Sequence, residues 1–419
     1  MPSAEQIMMV AIPAFFVLMA VELVAARLMR RRVYRLNDAI NSIGLGTFSQ
    51  IVGVFTKLLT IGVYAWVVEH VALFALPADG VWVWISGLLL YDFCYYWLHR
   101  CGHEVGVLWA AHAVHHQSER YNLATALRQT SSGVLLGWMF YLPMAVLGYP
   151  VEVFAVVAVI DLIYQYWIHT ELVPKLGWFD RIFASPSNHR VHHAVNDRYL
   201  DKNYGGLLML WDRLFGTFIE EDPAEPPVFG TRAPLRSWNP LWANLEVYWA
   251  LAHDARHARR WRDKLRVWVA RPGWRPADVA ERFPKPAFDI ARAEYDPLLS
   301  PPMRIYCLLH FLLLLALGVD FLASASTLNA AATAMYAGFL LSGLISLGLL
   351  LEGRAWALAI EAPRLLWLGV WPMLTARWPG HLWFAMNLRE TFMAVGLVSL
   401  PAVIWAWWGT ATLQARAAH

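Results

Sequence analysis

A chain of 419 residues that is 58% apolar and 16% charged departs from soluble domains, in which about a quarter of residues are charged. Its formal net charge of +3 leaves no electrostatic footprint for nucleic acid, and its 23 tryptophans suit a protein whose indoles sit at membrane interfaces. These figures exclude an ordinary soluble enzyme or nucleic-acid binder and predict an all-α integral-membrane protein.

The first apolar stretch, residues 7–28, has neither the basic start nor the small-residue cleavage site of a signal peptide. Arg27, Arg30, Arg31, Arg32 and Arg35 cluster at its far end, as in a retained helix whose C-terminus faces the cytosol. A span needs about 20 apolar residues. By that measure residues 43–76 hold one tilted span with an interfacial stretch, or a broken pair, and residues 81–98 hold the next. Residues 134–147 and 151–168, split by Gly148, Tyr149 and Pro150, predict a tight hairpin, shallow or re-entrant because neither half is long. From His169 to Met303 the chain is polar, Pro-rich and Arg-rich, without a span. Spans resume at 305–322, 331–351, 355–374 and 382–407, and no tandem repeat is evident.

The expected organisation is therefore N-terminal membrane helices over 1–98 and a catalytic region over 99–220, containing the hairpin 134–168. A cytosolic Pro/Arg-rich segment follows over 221–303, then C-terminal membrane helices over 304–419. Counting crossings puts residues 99–128 and 169–303 on the side of the early arginines. Arg181, Arg190, Arg198, Arg213 and the basic run 256–266 follow the same charge bias. Only Lys57, Lys175, Lys202, Lys264 and Lys285 break the preference for arginine, which with the many alanines hints at a GC-rich bacterial genome and hence an inner-membrane location.

Nine of the 15 histidines fall between positions 99 and 193. They form H-R-C-G-H (His99, His103), H-A-V-H-H (His112, His115, His116) and H-R-V-H-H (His189, His192, His193), with His169 alone at the end of an apolar helix. Spacings of three and four put imidazoles on one helical face, about a turn apart, so two rings can meet at one ion or at two neighbouring ions. One such pair is a weak signal; three groups in one polar layer predict metal, and more donors than one ion accepts predict two. Structural zinc favours closed four-coordinate sites, often with Cys, and haem needs only two histidines. Cys94, Cys101 and Cys307 have no ligand spacing and read as small buried residues. A redox-capable iron pair that binds O2 fits best. The fold expected is a multi-span helical bundle with a cytosolic, histidine-rich, di-metal cap.

The stretches D-F-C-Y-Y-W-L-H-R-C-G-H-E-V, W-A-A-H-A-V-H-H-Q-S-E-R-Y-N-L, Y-Q-Y-W-I-H-T-E, S-P-S-N-H-R-V-H-H and D-K-N-Y-G-G-L-L-M-L-W-D-R-L-F-G-T-F resemble the fatty acid hydroxylase and sterol desaturase superfamily of membrane di-iron enzymes. Within it they resemble the subgroup that oxidises the ether-linked carbon of alkylglycerols. The likeness runs from about residue 5 to 220 and continues into the C-terminal spans, which that subgroup also has. It implies eight ligands, His99, His103, His112, His115, His116, His189, His192 and His193, with His169 completing the metal shell. It further implies a functional glutamate at Glu104, two iron ions (zinc can replace them in overproduced protein), O2, a tetrahydropterin or an electron-transfer protein as reductant, and a membrane lipid as substrate.

Outside the ligands, Glu104, Asp92 and Asn188 form the expected catalytic set. Asp92, near a span end, either orients a ligand histidine or bonds a Tyr or Trp of the same belt. Asp161 carries the same two readings. Asn188 and Asp201 flank the third box as expected partners of its ligands. Asn122, Arg128 and Gln129 follow the second box, where they contact a headgroup or position the loop; Arg128 reads more readily as a solvated interfacial charge. Glu22 awaits a partner, His253 and His257 read as surface residues, and His70, His310, His381 and His419 as isolated. Two rivals remain: desaturation or sterol hydroxylation on the same scaffold, and a metal transporter, which would place its ligands along a mid-membrane path.

Overall fold

The computed structural model describes residues 4–375 and 388–417; His381, His419 and the first six residues of the expected span 382–407 lie outside them. Among the described residues the chain is helical, with only the isolated bridges Phe183 to Leu208 and Ala194 to Phe229. Six helices among the described residues are long and apolar enough to cross a membrane: Gln6–Leu28, Leu36–Thr56, Val81–Glu104, Pro301–Ser324, Ala330–Leu351 and Glu390–Ala417. The protein is an integral-membrane helical bundle.

The chain divides into two compact units that interleave in sequence. The first comprises residues 1–35, 56–235 and 244–292. Its longer helices are α1 (Ala4–Leu28), the C-terminal part of α2 (Leu36–His70), α3 (Val81–Glu104), α4 (Gly106–His116), α5 (Val151–Trp167), α6 (Pro186–His193), most of α7 (Pro240–His257) and α8 (Trp261–Val269). Of the two readings of 43–76, the single span holds and the broken pair does not: residues up to His70 belong to one continuous helix, α2.

The hairpin differs from its expectation. Its first half is three short pieces, Gly133–Gly137, Trp138–Tyr141 and Leu142–Val146, and its second half, α5, has 17 residues. At 1.5 Å per residue α5 is about 25 Å long, short of the hydrocarbon thickness. The turn itself matches: Gly148 at φ 86° follows the Leu142–Val146 helix, and a Cβ there would sit 1.8 Å from the Phe74 carbonyl oxygen, so only glycine fits. The hairpin packs on α3 through a core of Tyr91, Cys94, Tyr141, Met144, Val153 and Phe154, with Tyr91 stacked on Tyr141 at 4.6 Å.

The end of α1 meets the histidine region directly. Asn122 Nδ2 donates to the Val33 carbonyl (2.7 Å), Arg120 to that of Arg32 (3.0 Å), and Arg31 to that of Glu171 (2.7 Å). The early arginines and the boxes therefore lie at one end of the unit, as the crossing count expected.

The second unit comprises residues 36–55, 236–243 and 293–419. It contains α9 (Pro301–Ser324), α10 (Ala330–Leu351), α11 (Leu358–Thr375) and α12 (Leu388–Ala417). The segment expected to span over 355–374, now α11, is not among the six candidate spans and buries a charge pair. The Glu361 carboxylate accepts from Arg364 Nε (2.9 Å) and from the Tyr306 hydroxyl. His310 is not isolated: Arg364 Nη2 donates to its Nδ1 (3.2 Å), and its Nε2 meets Ser399 Oγ (2.9 Å). Pairing keeps these polar groups tolerable in an apolar bundle.

Candidate metal centre

All nine histidines converge, and they do so as two groups. His99, His103, His112, His116 and His192 form one; His115, His169, His189 and His193 form the other. Within each group the ligand atoms lie within 4.8 Å of one another, and no carboxylate belongs to either among the described residues. The helical spacing explains the division. The i, i+4 pairs His99/His103, His112/His116 and His189/His193 each stay together, because four residues nearly complete a turn. His115 and His192, about 100° from their neighbours, point to the opposite group.

The outer nitrogens fix the tautomers. His99 Nδ1 donates to the Tyr204 carbonyl (2.8 Å), His115 Nδ1 to that of Arg128 (2.9 Å), His169 Nδ1 to that of Gln165 (2.7 Å), and His192 Nδ1 to that of Lys202 (3.0 Å). A carbonyl can only accept, so each Nδ1 carries the proton and each Nε2 presents a lone pair inward. Yet His115 and His169 set Nε2 atoms 3.2 Å apart, and His189 sets its own 3.0 Å from His169. Two facing lone pairs repel unless a cation lies between them. Donors about 2.1 Å from one ion are about 3.0 Å apart at a right angle and about 3.4 Å at the tetrahedral angle. His99 Nε2 and His103 Nε2, buried and without hydrogen-bond partners, are further donors awaiting an acceptor. The donor set fits metal.

Burial pushes the His115 pKa down to about 4. Those of His112, His116, His169, His189, His192 and His193 lie well below 6.5, from burial and from neighbouring groups, chiefly the other imidazoles. In the metal-free chain these rings resist protonation when folded and accept it when unfolded. Their contribution to stability is therefore full above about pH 6.5 and declines as pH falls below it; that of His115 is lost as pH falls through about 4. Metal-stripped protein is expected to melt at progressively lower temperature across that window; a flat profile would contradict the burial of neutral rings.

The loop after the third box does much of the positioning. Lys202 and Tyr204 supply carbonyls to ligands from two different helices. Flanking Lys202, Asp201 and Asn203 adopt φ of 58° and 57°, a left-handed conformation that only Asn, Asp and Gly take readily. Asn203 holds it by donating to the Ile219 carbonyl (2.8 Å) and accepting from the Ile219 amide (2.9 Å). Two buried carboxylates clamp the rest. Asp212 accepts from the amides of Tyr204 (2.8 Å) and Gly205 (2.7 Å). Asp92 accepts from those of Leu207 (2.8 Å) and Leu208 (3.1 Å) and from the Trp211 indole (2.8 Å). A side chain on Gly206 would strike Tyr95 at 2.7 Å.

Asp92 thus reaches a tryptophan and loop amides rather than a ligand histidine. Asn188 donates to the carbonyls of Asp180 (2.8 Å) and Phe183 (3.2 Å), pinning the start of α6, and likewise has no hydrogen bond to a box histidine. Glu104 pairs with Arg100 (3.0 Å) and Arg271 (3.6 Å) beside the first group. Asp201 Oδ1 lies 3.9 Å from His103 Nδ1. Asp161 accepts from Gln165, whose carbonyl holds His169. The solvated reading of Arg128 is overturned: at 1% exposure it is among the most completely buried large side chains, donating to the Val114 carbonyl (2.6 Å) and Gln117 Oε1 (3.2 Å). Glu22 accepts from Thr170 Oγ1 (2.5 Å), the Leu123 amide (2.9 Å) and Tyr34, tying α1 to the residue after His169. Sequence reading missed Lys202 and Tyr204 because they act through backbone carbonyls, which leave no residue-type signature, and Asp212 because its carboxylate meets backbone amides rather than a ligand histidine.

Residues 84–217, which hold every histidine of both groups, match the family model described as Fatty acid hydroxylase. Residues 303–374 match the Alkylglycerol monooxygenase C-terminal domain. The chain is 36% identical to the alkylglycerol monooxygenase of Xenopus tropicalis over 361 residues, 84% of this chain and 79% of that protein. It belongs to the alkylglycerol monooxygenase family. The family's human member is 33% identical over 413 residues, 98% of this chain and 90% of its own length. A partial likeness, 32% over 146 residues, joins 34% of the chain to 43% of the ornithine lipid hydroxylase OlsE of Rhizobium tropici. No solved structure matches the chain. Membership makes this protein a membrane lipid monooxygenase, an oxidoreductase, which sets aside the transporter reading.

Proposed function

We propose that this chain hydroxylates the ether-linked carbon of an alkylglycerol, using O2 and two iron ions held by the nine histidines. One oxygen atom enters a C–H bond, and the other leaves as water with two electrons and two protons from a reductant. The hydroxylated carbon then collapses as a hemiacetal to a fatty aldehyde and a free glycerol hydroxyl. The observation that carries the reading is the five-plus-four set of neutral imidazoles, all buried but the half-buried His112, within a family whose named relatives are alkylglycerol monooxygenases.

Bound iron would supply redox chemistry toward O2 that no side chain here can provide. The protein's share is orientation. Carbonyls of Tyr204, Arg128, Gln165 and Lys202 keep four rings in the donor tautomer, while Asp92 and Asp212 keep the 201–208 loop from relaxing. As reductant we propose a tetrahydropterin or an electron-transfer protein. The arginines beside the boxes support placing the site at the cytosolic face of the membrane.

Glu104 is proposed to tune the first group through Arg100 and the neighbouring His103. Glu104→Gln is expected to leave the chain folded and loaded while lowering kcat by about 10- to 100-fold, as losses beside metal ligands do. Unchanged kinetics would reduce Glu104 to a salt-bridge partner.

The test of the reaction is reconstituted protein given a 1-O-alkylglycerol under oxygen-18 gas, with the aldehyde trapped by reduction before it exchanges with water. Labelled aldehyde supports ether cleavage. A new double bond without label would mean desaturation. The likeness to the ornithine lipid hydroxylase favours one second reading, a stable labelled hydroxylipid without cleavage.

A further inference from the structure

The segment after the third box was expected to be a cytosolic, Arg-rich stretch, yet α8 exposes Trp261 at 78%, Leu265 at 71% and Val269 at 64%. At 100° per residue these side chains and the half-exposed Trp268 share an arc of about 100°. Lys264 borders that arc on one side, Arg262 and Arg266 on the other. The opposite face holds buried Val267 and half-buried Asp263. Between residues 256 and 271 the chain carries six arginines and Lys264 against a single acid, Asp263. In water such an arc would be a liability.

The level at which α8 docks says what covers it. Gly106 donates its amide to the Ala270 carbonyl (2.9 Å), and a Cβ on Gly106 would lie 2.9 Å from the Val267 carbonyl oxygen. The end of α8 therefore packs against the second residue past α3. The 24 residues of α3 span about 36 Å, against a hydrocarbon core of about 30 Å, so Gly106 falls at headgroup depth. An apolar arc rimmed by arginines at that depth has the chemistry of a helix lying in the interface.

We propose that α8 lies in the membrane surface, with Trp261, Leu265, Trp268 and Val269 among acyl chains and its arginines on the phosphates of anionic phospholipids. Through Gly106 the helix also fixes the start of α4, which carries His112, His115 and His116. The metal centre is thereby set at a defined depth relative to the headgroups. The inference stands apart from the identity of the substrate.

The test uses the full-length chain with Cys94, Cys101 and Cys307 replaced and a spin label on Leu265→Cys or, as a water reference, Asp197→Cys. Each is reconstituted in phosphatidylcholine vesicles with and without phosphatidylglycerol. Collisions of the label with oxygen and with a water-soluble nickel chelate report its surroundings. At 265 oxygen is expected to dominate several-fold, and at 197 the nickel chelate. Added phosphatidylglycerol should raise the oxygen preference at 265, and Arg259, Arg260 and Arg262→Gln together should remove that response. A label at 265 open to the nickel chelate in both vesicles would overturn the proposal and leave the face to a soluble partner. Shielding from both reagents would overturn it in favour of a protein contact. A position among lipids that ignores the anionic lipid would overturn the role of the arginines.

Discussion

His169→Ala is expected to abolish turnover and to lower bound metal from about two ions per chain to about one. His169 sits inside the four-donor group, its Nε2 3.2 Å from that of His115 and 3.0 Å from that of His189. Removing it leaves three donors there and all five in the other group. Three imidazoles hold an ion less firmly than four, and nothing else in the group offers a donor. Losing the several kcal/mol that a bound ion contributes to a reaction corresponds to about a thousandfold in rate. The comparison is His192→Ala, which depletes the five-donor group instead. Metal analysis after anaerobic iron loading reads both variants. If His169→Ala keeps two ions and full activity, the four-donor site is misassigned.

Arg128→Leu is expected to cost about 3 kcal/mol of stability, from two buried acceptors left without their charged donor and a partly filled cavity. The Val114 carbonyl and Gln117 Oε1 would lose their guanidinium. Because the Arg128 carbonyl orients His115, retained metal in the four-donor group should fall as well. Arg128→Lys keeps the charge but not the planar fork, so it should restore little of either. Melting in detergent and metal content separate the two effects. Full metal binding in a destabilised Arg128→Leu protein would make the residue a purely structural prop.

The membrane class, most spans and all nine candidate ligands were readable from composition, apolar run length and the three-and-four spacing of histidines. These signals are local: a run of 20 apolar residues or an i, i+4 pair carries its meaning wherever the helix lies. The hairpin was readable as a turn, since Gly148 and Pro150 act on their own backbone, but not as interrupted helix. Asp92 was readable as an unusual buried acid, whereas its partners lie more than 110 residues away on a loop with no apolar pattern. Arg128 looked solvated because only packing from distant segments buries it.

Sequence alone determined which histidines could share an ion, because four residues nearly close a helical turn and hold an i, i+4 pair together. Tertiary structure alone decided how the boxes combine. It brings His192 to the first group, takes His115 away from its own neighbours, and adds His169 to the second. It also draws Tyr204 and Lys202 in to fix tautomers through carbonyls that every residue type possesses. Those choices depend on how α3, α4, α5 and α6 cross. Helix crossing is set by side-chain packing over the whole unit rather than by any motif.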